Sequence, residues 1–246
     1  MKKLFVLLIS IVLIAGVYTI SYGNGNGLGI VGSPHDFTDG LVKGAALSEA
    51  WNSRAEICRV CHVPHDHGVA AKNYMNGLLW NHGVSSATYT MYNNAWSSTL
   101  TGTQSAQPDG TAKLCLSCHD GTVALDTYDK YTNTTTYIDS VGYDAGFKTP
   151  GFLDGANLDL RGTHPLSIAF PAGQDGDGIN FNSTAATNWA NGATIASTLD
   201  NGKVQCSTCH EVHNKGSVAG THLLRSPQTV AQGGTASELC LKCHIK

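Results

Sequence analysis

The sequence predicts a mostly irregular chain with short α-helices and a few short strands, folded around bound apolar groups rather than a large core of its own. Three observations predict this. The 246 residues include 28 Gly, and only 13% of the chain is charged. Long runs of Asn, Thr, Ser and Ala build turns more readily than regular helices or sheets. Eight cysteines fall into four pairs, Cys58/Cys61, Cys115/Cys118, Cys206/Cys209 and Cys240/Cys243, and a histidine follows each pair directly: His62, His119, His210 and His244.

The chain begins with Lys2 and Lys3 and an apolar run from Leu4 to Ile20, then Ser21-Tyr22-Gly23. Small residues three and one positions before a cut after Gly23 fit a cleaved secretory signal over 1–23, the alternative being an uncleaved anchor of marginal length. An exported chain is expected, extracellular or at the cell surface, with the periplasm as alternative. Removing two lysines and no acid takes the formal charge from −3 to −5. No basic patch for nucleic acid is expected, nor a stable membrane span once the signal is cut. Residues 24–34, NGNGLGIVGSP, read as a flexible leader. One domain over 35–246 follows, with a first motif pair within 35–125, an insertion over 126–200 and a second pair within 201–246. Within the insertion TTTYIDSV suggests a short strand, and QDGDGIN a plain turn, since a calcium loop would need an acid where Ala186 stands. Two N-glycosylation patterns, at Asn133 and Asn182, carry little weight in a chain of unknown source.

C-x-x-C-H is the attachment sequence of c-type haem. On a helical turn the two sulfurs and the imidazole share one face, so both cysteines can bond the macrocycle while the histidine reaches iron from the same side. Zinc gives no reason for a histidine after every pair, and a redox dithiol no reason for four copies. Four haem c groups, with their iron, are therefore expected per chain. Cys58, Cys61, Cys115, Cys118, Cys206, Cys209, Cys240 and Cys243 are the covalent anchors, and His62, His119, His210 and His244 the proximal ligands. The order alternates: ICRVCHVPHD and QCSTCHEVHN share one pattern, KLCLSCHDG and ELCLKCHIK another, as in a duplicated two-haem unit.

Seven histidines remain for four distal positions: His35, His65, His67, His82, His164, His213 and His222. Methionine is scarce after signal removal, so every iron can be bis-histidine, which favours electron transfer at low potential over substrate chemistry. His213 is too close in sequence to its own motif to round the macrocycle, because three residues span at most about 10 Å. It is expected to serve another haem, the repeat pointing to that of Cys240/Cys243, and His65 repeats the arrangement. His164, held by Pro165, and His35, after Pro34, complete the expected distal set. His82 is the reserve. His67 and His222 read as surface or propionate contacts. His35, near the end of the leader, is expected to be given to a haem of the next molecule, joining subunits head to tail, the alternative being a haem of its own chain in a soluble carrier.

The set SPHDF, CxxCHxPH, LWNH, LCLSCHDGTVAL, HPLS, CSTCHEVH and LCLKCH resembles secreted multihaem c-type cytochromes with doubled CxxCH motifs, and is similar to tetrahaem cytochromes that polymerise into extracellular filaments, or nanowires. The resemblance implies a loop-built fold wrapped around a stack of bis-histidine haems, with distal ligands at His35, His65, His164 and His213. It implies as partners copies of the chain itself and other redox proteins or extracellular electron acceptors. The expected function is electron transport without enzymatic activity. Soluble periplasmic relatives share the motifs, so a periplasmic carrier stays as an alternative. A reductase with an open haem is disfavoured by the histidine surplus and the absence of CxxCK.

Overall fold

A computed structural model describes residues 27–38, 51–52, 54–65, 79–100, 102–129, 136–138, 158–171, 180–186, 189 and 191–245. The expected signal, His67, Asn133 and most of QDGDGIN lie outside them. The described residues are mostly loop, with short helices and two-stranded sheets. Of the expected strand TTTYIDSV only 136–138 are described, and they are not in a strand. No helix among the described residues is long and apolar enough to cross a membrane.

Helix α1 spans Gly110–His119 and carries the second motif. Its start is set by Asp200, whose Oδ2 accepts the Thr111 N–H at 2.7 Å. Asp109, at the cap position, is engaged elsewhere, with Lys203 Nζ at 2.5 Å and Gln205 Nε2 at 2.8 Å. Gly110 takes a left-handed φ of 50°, and a Cβ there would lie 2.6 Å from Asp200 Oδ2, so the approach needs glycine. Spacing of four puts Ala112 and Leu116 on one face, where they bury with Tyr89, Leu160 and Leu166. Cys206 of the third motif packs on that cluster.

The insertion returns twice to the motifs. Strand β1, Ile168–Ala169, pairs antiparallel with β3, Lys203–Val204, just ahead of the third motif. Strand β2, Asn180–Phe181, pairs with β4, His244–Ile245, so that Phe181 stands opposite His244. Between them α2, Ile195–Thr198, abuts α3, Cys206–Cys209, through Thr208 Oγ1 donating to the Thr198 carbonyl at 3.1 Å. Helix α4, Glu238–Leu241, begins the fourth motif. The Asn182 amide donates to the Leu241 and Lys242 carbonyls, at 3.1 and 3.0 Å, which ties up its glycosylation pattern in structure.

The glycine-rich leader is pinned where it is described. Asn214 accepts from Gly27 N at 3.0 Å through its side chain and donates to the Gly29 carbonyl at 2.8 Å, while its own carbonyl accepts from Gly29 N at 3.1 Å. Of the expected leader 24–34, residues 27–34 are described, and there the glycines let the backbone approach a single buried asparagine from both sides.

Candidate cofactor-binding site

Each Cys-x-x-Cys closes a helical turn. In the first, His62 N donates to the Cys58 carbonyl at 2.7 Å; the second lies in α1; in the third, His210 N reaches the Cys206 carbonyl at 3.0 Å; in the fourth, Cys243 N reaches the Cys240 carbonyl at 3.2 Å. The eight cysteines form no disulfide. Burial pushes the Cys61 thiol up to about 12 and those of Cys209 and Cys243 up to about 11, and holds Cys118 well above its usual value. A hydrogen bond with Cys115, together with burial, does the same for Cys206. Redox dithiols depend on thiols shifted the other way. None of the raised thiols gains the thiolate character that such chemistry uses.

The histidines of three motifs each face a second histidine. His62 and His213 have ring centroids 6.2 Å apart with planes within 22° of parallel. His119 and His35 stand 6.1 Å apart, and His244 and His164 6.4 Å apart. Two imidazoles binding one ion from opposite sides through bonds of about 2 Å would have centroids about 6 to 6.5 Å apart. Each pair joins one CxxCH histidine to one expected distal ligand. Ring nitrogens are set accordingly: His164 Nδ1 lies 2.9 Å from the Pro165 carbonyl, which leaves Nε2 for a metal. Partial burial, and after it the His213 ring, lower the pKa of His62, favouring the neutral imidazole that ligates metal.

One expectation is corrected here and a second shifts. His213 faces the first motif, not the fourth, because Glu211 shapes the loop after α3, its carboxylate accepting from Lys215 N at 2.5 Å and His213 N at 3.3 Å. His35 faces His119 of its own chain, because the pinned leader brings SPHDF against α1; Asp36 accepts from Gly32 N at 2.8 Å within that turn. Of the two readings of His35, this geometry favours the one within its own chain.

The remaining histidines divide. His210 directs Nδ1 at the His222 carbonyl, 2.7 Å away, so Nε2 is left for a metal, and His222 contributes backbone rather than ring. Among the described residues no imidazole faces either His210 or the exposed His65 in the manner of the three pairs. The reserve, His82, is 1% exposed, with Nδ1 2.9 Å from the Gly83 carbonyl and Nε2 3.1 Å from that of Ala124. Both nitrogens are engaged by backbone, which gives His82 a structural place rather than a ligand's.

Among the described residues no group of three or more His, Cys, Asp or Glu is arranged to hold a bare metal ion. Paired imidazoles beside paired thiols fit instead a metal whose other ligands come from a macrocycle. Two features escaped sequence reading. The indole nitrogens of Trp51 and Trp80 are buried without a hydrogen-bond partner. Trp80 has its ring 6.2 Å from His62, and LWNH beside a distant motif gave the only hint of it. Compared with family models, curated proteins and solved structures, the chain finds no match.

Proposed function

We propose that the chain is an electron-transfer protein carrying four covalently bound c-type haems. The observation that supports this most is the meeting of three CxxCH histidines with three further histidines at a spacing suited to one ion between each pair. Cys58/Cys61, Cys115/Cys118, Cys206/Cys209 and Cys240/Cys243 would hold the groups by thioether bonds. His62 with His213, His119 with His35, and His244 with His164 would hold three irons, and His210 the fourth from one side. A bound haem supplies one-electron chemistry at its iron. At three of the four groups the paired imidazoles would leave no ligand position for substrate, which favours a carrier over an enzyme.

The expected partners are redox proteins, or acceptors outside the cell, and copies of the chain. With His35 held inside its own chain, head-to-tail polymerisation rests on His65 and His210, two exposed histidines that a neighbour could bring together. The pinning of His35 favours a second reading, a soluble periplasmic carrier. The test of the haem reading is the intact mass of the denatured mature protein. Four haem increments and no free thiol are expected; a homogeneous protein with fewer haems, or with titratable thiols, would contradict it.

A further inference from the structure

We propose that the Trp80 indole N–H is a hydrogen-bond donor to a propionate carboxylate of the haem held at Cys58 and Cys61. The inference rests on the haem reading above and adds a positioning residue to it. Trp80 stands directly opposite His62 in an antiparallel bridge. Val63 N donates to the Leu79 carbonyl at 3.0 Å and Asn81 N to the Cys61 carbonyl at 2.9 Å, which fixes the indole on the same side as the His62 ring. The two rings meet edge to face, at 89°.

The Trp80 nitrogen is buried and has no acceptor among the described residues. Buried indole N–H groups almost always find one. The ring that could serve, His82, lies 6.5 Å away and turns both nitrogens to backbone carbonyls, so it cannot accept. An acceptor from outside the chain is needed, close to an iron ligand. A haem brings two carboxylates, which when ionised only accept.

Among the described residues, the cations near this motif are already engaged. Arg59 Nε lies 2.6 Å from Asp129 Oδ2, and Arg54 lies 2.8 Å from Glu56 and 3.3 Å from Asp129. A neutral N–H is therefore what remains to receive a buried propionate at this place.

Trp80→Phe keeps an aromatic ring at the position and removes the donor with part of the packing. The variant is expected to carry four haems by mass, to shift the propionate-bending band of one haem in the resonance Raman spectrum, and to move one midpoint potential of the four. Trp80→Leu should show the same shift plus lower stability. If Trp80→Phe matches the wild type in band and potentials, the proposal is overturned, and Trp80 is packing or donates to water. Should Trp80→Phe not accumulate, ultraviolet resonance Raman of the wild type decides: a strongly hydrogen-bonded indole beside that of Trp189, which donates to Thr198 Oγ1 at 3.1 Å, supports the proposal, and Trp189 alone overturns it. A wild type without haem at Cys58/Cys61 would instead sink the haem reading itself.

Discussion

His213 is placed by its neighbour two residues back. Glu211, 8% exposed, takes the backbone N–H of both His213 and Lys215, and the turn it closes swings the imidazole toward His62. Replacing His213 with Met should leave all four haems attached and raise one potential, that of the haem at Cys58/Cys61, because thioether ligation favours the reduced iron. A redox titration unchanged from wild type would contradict the pairing. Asp129 anchors the same motif from the other side, receiving Arg59 Nε at 2.6 Å and Asn81 Nδ2 at 2.9 Å. Burial opposes its ionisation, but the Arg59 and Asn81 hydrogen bonds outweigh burial and hold its pKa below the ordinary carboxylate value. A carboxylate depressed in the fold contributes stability that is complete above its unfolded pKa, about 3.9, and is lost as pH falls through the folded value. Asp129→Asn should therefore unfold at lower denaturant than wild type at pH 7, and the gap should close below about pH 4. A gap independent of pH would show that charge is not the cause.

Among the described residues the short helices α3 and α4 lie at Cys-x-x-Cys turns, and α2 packs on α3 without carrying a motif. Helix α1 alone is longer, 10 residues, and its face of Ala112 and Leu116 joins the main buried cluster. Gly110→Ala would cost about 1 to 2 kcal/mol from the left-handed φ alone. It would also press on Asp200, the group that accepts Thr111 N. Thermal unfolding of the haem-loaded variant should show the loss; an unchanged midpoint would mean that the turn relaxes freely. At this scale the sequence was legible where chemistry is local. The CxxCH turns and the surplus of histidines are visible because covalent attachment requires a fixed spacing. The partner of each histidine was not, because it is fixed by contacts between distant segments. Asn214 gripping Gly27 and Gly29 carries His35 to α1, and nothing in NGNGLGIVGSP announces an asparagine near the other end of the chain.

At the scale of the molecule, the main buried apolar cluster among the described residues is small, centred on Tyr89, Ala112, Leu116, Leu160 and Leu166, and loops run between the four Cys-x-x-Cys turns. Such a chain holds together around what it binds, since a small apolar core offsets little of the entropy of ordering its loops. Self-association belongs to this scale too. Three histidine pairs face each other within one chain, and on the proposed function His210 and His65 would be left to be joined by a copy. The most direct measurement of this account is the stoichiometry of carbon monoxide bound by the fully reduced protein, which counts irons lacking a second protein ligand. No more than one carbon monoxide per four haems is predicted for the monomer, at the His210 iron, and none for an assembled polymer; in His65→Ala one should bind at any concentration. Two or more per chain in the folded wild type would contradict the three imidazole pairs on which the proposed function rests.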